Sequence, residues 1–494
     1  MSQYVMALDL GTTGNRAILF DHAGSIVGQA YRELTQYYPQ PGWVEHDAAE
    51  IWEAVQWTIK TAIANANVSA SDVAAIGLTV QRETCLLWDK STGQPLHHAI
   101  VWQDRRTASM CVGLAEHKAD IYERSGLFLD AYFSATKLRW LLDKVQPDNI
   151  DNVLAGTIDA WALWNLTGGR VHATDHSNAS RTLLMNLEQQ QWDDKLLDIF
   201  GVPRSILPDI KPSQGVFGYT DPDLLGVEIP IAALLGDQQA ALFAHGCNRP
   251  GLLKCTYGTG AFLVAHTGEE IVRSQNQLLS TVAWTVAQPS GYGLGYALEG
   301  SMFTAGACIQ WLRDGLQIID SAADSEPLAV SVSDNGGVYF VPALSGLGAP
   351  HWDMGARGAF LGLTRGATKA HMVRAVLEAI ANQAREVVMA INDDSGTPIT
   401  KLKVDGGACQ NDFLMQYQAD VLGIPVERPA VLEATGQGSA FAAGLAVGFW
   451  NSYTALVEGR QIDRTFTPGE GQAQAQESFA VWQKAVDRAK GWIE

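Results

Sequence analysis

Cysteine is scarce in this chain. Only six of its 494 residues are cysteine (Cys85, Cys111, Cys247, Cys255, Cys308 and Cys409), and no two form a C-x-x-C pair. That excludes a disulfide framework and a thiolate metal site of ordinary spacing. Their surroundings, such as "LLKCTYG" and "TAGACIQW", are apolar and read as small buried thiols in a reducing compartment. Positive charge is also short: 34 Lys and Arg stand against 53 Asp and Glu, a formal net charge of −19. The clustered basic footprint of a nucleic-acid partner is therefore not expected. A small polyanionic substrate stays open, because a few local basic groups and Mg2+ can outweigh the global field. No apolar run is long enough to span a membrane, no low-complexity stretch occurs, and the first residues lack the basic and apolar regions of a secretory signal. The expectation is a cytoplasmic protein without a membrane span; whether it forms a homo-oligomer stays open.

What is present is an ordinary globular balance, 47% apolar and 18% charged, in a chain too long for one core. The opening reads as a meander of strands, "YVMALDL", "NRAILFD" and "SIVGQAYREL", with a Gly-Thr-Thr-Gly turn after the first. "DAAEIWEAVQWTIKTAIANA" has helical spacing through Ile51, Val55, Ile59 and Ile63, with Asp47 as its cap. "VAAIGLTV" is continuously apolar, as a strand buried on both faces would be. Near residue 250 the plan restarts: "GLLKCTYGTGAFLVAH" is again an apolar run, a Gly-Thr-Gly turn and an apolar run. Two such hairpins predict two related α/β domains facing one another, residues 1–246 and 247–494, divided at the turn residues "CNRPG". "QPSGYGLGY" contains a G-x-G but not the longer dinucleotide fingerprint, so a loop is expected there.

Several short stretches can carry chemistry. "DLGTTGNR" is not a P-loop, having no Gly-Lys-Ser/Thr and leading into a strand. It is either a plain hairpin or an anion cradle, in which Thr12, Thr13 and Arg16 supply donors and Asp9 holds Mg2+. "KLKVDGGACQNDFLMQYQADVLG" reads as strand, Gly-Gly turn and helix, either a tight turn before a core helix or a nucleotide cradle. "EATGQGSAFAAGLAVG" is rich in small residues and suits a helix packed closely on a neighbour. "TVQRETCLLWD" ends an apolar run in Gln81-Arg82-Glu83, an exposed ion pair or a binding group. Trp102 in "IVWQDRR" sits near three charged residues, and Tyr132 in "LDAYFSATKLRWLLDK" precedes a helix. Asp237 in "IAALLGDQQAALFAHG" lies between a strand and a helix, either a cap or a carboxylate aimed into a cleft.

Together with "YYPQPGWVEHD", "SGLGAPHWD" and "GAFLGLTRGATKAHMVRAVLE", these motifs make nearly the whole chain similar to the FGGY family of carbohydrate kinases. "QRET", "VWQ", "AYFS" and "DQQAALF" in one chain resemble the members acting on glycerol rather than on pentuloses. The resemblance implies two related domains of the actin/hexokinase-like ATPase fold with the active-site cleft between them. It further implies ATP-dependent phosphorylation of glycerol to sn-glycerol 3-phosphate, with ATP and Mg2+ bound. Arg82, Glu83, Tyr132, Asp237 and Gln238 would bond the hydroxyls of glycerol, and Trp102 and Phe262 would cover its carbons. Thr12, Thr13, Gly14, Arg16, Thr259, Gly306, Gln310, Gly407 and Asn411 would contact the nucleotide. Asp9 and Asp237 would face Mg2+, and Asp237 would serve as the general base. The chain departs from the family at Leu10, where Gln is usual, and at Gly14-Asn15, where Ser-Ser is usual. "TDPDLLGVEIP" has no Lys or Arg, where some bacterial members bind a sugar bisphosphate through a Gly- and Arg-rich loop.

Overall fold

The computed structural model describes residues 3–286 and 293–493. The first half opens on strands β1 (Tyr4–Leu10), β2 (Gly14–Phe20) and β3 (Ile26–Glu33), followed by helix α1 (Ala48–Ala66). Asp47 caps α1 by accepting from the Ala49 amide, and Ile51, Val55 and Ile59 are buried beneath it, with Ile63 half-buried. Strands β4 (Val73–Val80), β5 (Gln214–Tyr219) and β6 (Pro230–Gly236) complete a six-stranded sheet of order β5-β6-β4-β1-β2-β3, and helix α2 (Asp237–Ala244) leaves the end of β6. A smaller four-stranded sheet built from Glu45–His46, Cys85–Asp89, Ala99–Ile100 and Val153–Thr157 flanks it.

The second half begins with β7 (Leu252–Tyr257) and β8 (Ala261–Gly268), then β9 (Leu279–Trp284), β10 (Gly295–Met302) and helix α3 (Gly306–Asp314). Helix α4 (Lys369–Ser395), strand β11 (Lys401–Asp405), helix α5 (Asp412–Leu422) and strand β12 (Val426–Pro429) follow. The chain ends with helix α6 (Ala434–Ala446), strand β13 (Ile462–Phe466) and helix α7 (Gln472–Ala489). Its seven-stranded sheet has the order β9-β10-β8-β7-β11-β12-β13. The expected loop at "QPSGYGLGY" lies mostly outside the described residues, from 288 to 292, and β10 begins at Gly295.

The two sheets share one plan. From β3 to β5 the successive pairings run antiparallel, antiparallel, parallel, parallel, antiparallel. From β10 to β13 they run in the same sequence, with β9 added at the outer edge. Each hairpin turn thus lies beside a parallel strand that ends at the same level, where binding groups of α/β sheets collect.

The small-residue run becomes α6, which crosses from the second half to pack on the first sheet and on α2. A side chain at Gly77 in β4 would collide with the backbone of Ser439, and one at Gly438 with the backbone of Ala240. Glycine here permits backbone-to-backbone packing that any Cβ would block. All six cysteines are free and buried, as their neighbours imply. Among the described residues no helix is long and apolar enough to cross a membrane.

Candidate active site between two related sheets

The first hairpin turn is held tightly. Gly11 N–H donates to the Gly14 carbonyl at 3.1 Å, and Leu34 N–H donates to the Thr13 carbonyl at 3.0 Å. Gly14 has no room for a side chain, since a Cβ would lie 2.5 Å from the Tyr31 hydroxyl and 2.6 Å from the Arg32 carbonyl. Asp9 is half-buried near the end of β1. Burial pushes its carboxyl up to about 7, against the pull of Arg16 and with the carboxylates of Glu433 and Asp237 adding to the rise. Arg16 itself is ion-paired with Glu433, the residue that precedes α6.

The second turn is also stitched by backbone, here to the start of α3. Gly306 N–H at the start of α3 donates to the Gly258 carbonyl at 3.0 Å, and the amides of Ala305 and Ala307 donate to the Thr259 carbonyl at 2.8 and 3.0 Å. A Cβ on Gly306 would sit 2.5 Å from the Gly258 carbonyl oxygen. The Gly-Gly turn after β11 closes on the same hairpin. Gly406 has φ +87°, and a Cβ there would be 2.5 Å from the Tyr257 carbonyl, whereas Gly407 faces open space.

Two cavities meet at these turns. One, of about 380 Å³, is lined by Thr12, Thr13, Arg82, Glu83, Trp102, Tyr132, Asp237, Thr259 and Phe262, with Gln36, Tyr38, Gln103 and Gly260. The other, of about 360 Å³, is lined by Asp9, Gly11, Thr13, Gly14, Arg16, Gly406, Gly407 and Glu433, with Tyr31, Gln410 and Leu432. Thr13 belongs to both. The Trp102 ring meets Tyr132 and Phe262 edge-on, with centroids 5.7 and 6.0 Å apart, forming an aromatic wall, and the Arg82 guanidinium lies 6.0 Å from the Phe262 centroid.

Arg82 and Glu83 are not an exposed ion pair. Both are buried, and Glu83 takes the left-handed conformation at φ +63°, an arrangement that costs energy and occurs where surroundings impose it. Arg82 donates to both oxygens of Glu299 at 2.6 and 2.9 Å, while its Nε lies 3.1 Å from Asp237 Oδ1. Arg181 bridges Glu83 at 2.7 Å and Glu299 at 3.1 Å. Burial alone would raise the Glu299 carboxyl; the guanidiniums of Arg181 and Arg82 outweigh it and hold it down to about 2. Sequence reasoning missed Arg181 and Glu299, although a lone carboxylate in the apolar run "YALEGSM" is a usable signal.

The remaining expected contacts hold bonds within the protein or stand outside the two cavity linings. Gln238 is buried with its side-chain oxygen taken by the Lys254 ammonium, and it lines neither cavity. Asn411 spends its amide on structure, accepting from the Leu414 amide at 2.8 Å as the cap of α5 and donating to Ser325 at 3.1 Å. Gln310 is exposed on α3, outside both cavities. Asp237 is the first residue of α2 rather than its cap, and its Oδ1 accepts from the Gln238 amide at 2.7 Å.

Two halves of one sheet plan, with glycine turns facing across adjoining cavities, define a two-domain protein of the actin/hexokinase-like ATPase fold. The chain belongs to the FGGY family of carbohydrate kinases: the model of the family's N-terminal domain matches residues 4–244 and that of its C-terminal domain residues 253–447. It is 70% identical to the glycerol kinase of Acaryochloris marina over 497 residues, 99% of each chain. It is 67% identical to the glycerol kinase of Nostoc sp. over 495 residues, covering 100% of this chain and 99% of that one. Among solved structures, Plasmodium falciparum glycerol kinase with ADP superimposes with a TM-score of 0.90 at 34% identity, over 98% of both chains.

Proposed function

We propose that this chain transfers the γ-phosphoryl group of ATP to glycerol, releasing sn-glycerol 3-phosphate and ADP. The observation that carries the reading is the pairing of Asp237 with Arg82 in a small cavity that shares Thr13 with the glycine-lined cavity next to it. Full-length relatives at 67–70% identity that are themselves glycerol kinases support it. We place the division between the domains at residues 246 and 247, after α2 and before β7; α6 lies across it.

Glycerol fills the cavity walled by Trp102 and Phe262, and its hydroxyls meet Arg82, Glu83, Tyr132 and Asp237. A site built from buried donors and acceptors rejects an acceptor that leaves one of them unpaired. Both contacts found for Asp237 fall on Oδ1, leaving Oδ2 to take the proton of the attacking hydroxyl. Arg82, held by Glu299, keeps that carboxylate in place. ATP lies in the adjoining cavity, its phosphates against the turns that carry Thr12, Thr13, Gly14 and Thr259. Gly306 and Gly407 admit the nucleotide to the backbone, and Arg16 lends charge once its pairing with Glu433 is shared. Positioning of two substrates in line is the main demand of such a transfer. Closure of the two halves removes water, the competing acceptor.

Mg2+ fits Asp9. Its half-buried carboxyl faces Glu433 and Asp237 with only Arg16 in opposition, a field that a cation relieves. Mg2+ is commonly held by one or two carboxylates together with phosphate oxygens. Asp9 and Asp237 would hold it, and it would neutralise charge developing on the phosphoryl oxygens.

The test is a substrate panel: glycerol, dihydroxyacetone, xylulose and ribulose, each with MgATP. Glycerol is expected to give the highest kcat/KM. A higher value for either pentulose overturns the reading.

A further inference from the structure

The motif "YYPQPGWVEHD" ends beside His46, a fully buried residue that lines neither cavity. His46 stands in a closed circuit of hydrogen bonds. Gln36 Nε2 donates to the Thr12 carbonyl at 2.9 Å, and its Oε1 lies 2.8 Å from His46 Nε2. Gln81 Nε2 lies 3.3 Å from His46 Nδ1 and donates to the Gly11 carbonyl at 3.3 Å. Thr84 Oγ1 donates to Gln81 Oε1 at 3.0 Å and accepts from the Trp102 amide at 3.1 Å. The Trp102 indole closes the circuit by donating to Thr12 Oγ1 at 2.9 Å.

From the Trp102 amide through Thr84, Gln81, His46 and Gln36 to the Thr12 carbonyl, the donors run one way only if His46 is neutral with its proton on Nε2. Gln36 must present its oxygen to His46, because its nitrogen is spent on Thr12; His46 Nε2 therefore donates. Gln81 must present its nitrogen, because its oxygen accepts from Thr84; His46 Nδ1 therefore accepts. A second ring proton would set two donors against each other. Burial keeps the ring neutral, lowering its pKa to about 4 against the opposing pull of Glu50.

We propose that His46 is a positioning residue: as a neutral imidazole it locks the turn at Gly11 and Thr12 to the Trp102 wall of the neighbouring cavity. The turn and the wall then move as one body, so the acceptor and the phosphoryl group keep a fixed separation. The proposal rests on the glycerol kinase reading for its assay. Failure of wild-type enzyme to phosphorylate glycerol would sink that reading, whereas the variants below are judged against wild type.

His46→Asn keeps an acceptor toward Gln81 and loses the donor to Gln36; Gln36→Met cuts the same link from its other, half-buried end and also removes the bond to the Thr12 carbonyl. Each is expected to raise KM for MgATP and lower kcat by roughly tenfold, the worth of about one hydrogen bond to a positioned group. Because Gln36→Met already breaks the link that His46→Asn breaks, the double variant should be little worse than Gln36→Met alone. The histidine 15N shifts of wild type should also report a neutral Nε2–H ring throughout pH 5.5–8. Unchanged KM for MgATP in both singles would overturn the proposal. So would additive losses in the double variant, or a kcat loss that only follows the fraction of unfolded protein.

Discussion

The two hairpins have one backbone plan and opposite chemistry. The β1–β2 turn is flanked by Asp9 and Arg16 and tied by side chains, through Gln36, Gln81 and Trp102, to the walls of the acceptor cavity. The β7–β8 turn, Tyr257 to Gly260, bears no charge and is tied by amides and carbonyls to α3, with the glycine turn after β11 packed on it. One side reads its substrate through side chains that carry charge and protons. The other offers close backbone approach and little else. The same contrast appears in what each half cannot tolerate: lost polar atoms on the first side, added carbon on the second.

Removing the base on the side-chain half is the hardest blow. Asp237→Asn keeps size and hydrogen bonding but cannot accept the proton, so kcat at saturating glycerol and MgATP should fall by roughly 10²–10⁴-fold. Affinity for MgATP should change far less, and a folded variant with near-normal kcat would remove Asp237 as the base.

Glu299→Gln comes next. It strips the partner from two buried guanidiniums, Arg82 and Arg181, and should cost roughly 3 kcal/mol of stability in a denaturant titration. Glycerol KM should rise with it, because Arg82 loses the group that aims it at the cavity. A stable variant with wild-type KM would show that the pair is bystander packing.

On the backbone half, Gly306→Ala adds one methyl 2.5 Å from the Gly258 carbonyl and forces the turn to move. KM for MgATP should rise about tenfold while glycerol KM holds within twofold. Equal changes in both constants would erase the division between the hairpins.

The smallest effect is on acid stability. Burial lowers the rings of His46, His172, His245 and His266 to about 4. In the unfolded chain these rings titrate near 6.5, so there the unfolded state binds the protons and stability falls as pH drops from 6.5 toward 4. Asp9, raised to about 7, and Asp159, raised to about 6, act in reverse, because the folded state binds their protons first. His176 is lowered too, and Glu83 and Glu378 are raised, so five groups against four predict a modest fall in Tm over that window. Asp9→Asn removes one opposing group and should steepen the fall; a shallower fall would contradict the placement of Asp9.

Much of the fold was legible before any coordinates. The meander, the capped helix, the repeated hairpin and the buried thiols follow from local rules, namely two-residue and 3.6-residue periodicity, turn residues and Asp at a cap. The candidate groups of the first cavity were legible too, because Arg, Glu and Asp at strand ends are costly unless used. The bonds that Gln238 makes to Lys254 and Asn411 to the amide of Leu414 were not legible, since a polar side chain beside a site looks the same in sequence whatever it faces.

By itself the sequence determined the local elements, the repetition of their order and the residue types that gather at the turns, all of which rest on near neighbours in the chain. Only the tertiary structure decided which of those residues meet. Arg82 and Glu299 are 217 positions apart, and the Thr12–Trp102 bond spans 90. Such pairings depend on how two sheets and a crossing helix pack, and on which partner is left to satisfy a charge or a donor taken out of water. No periodicity encodes that choice; it is made by the burial itself.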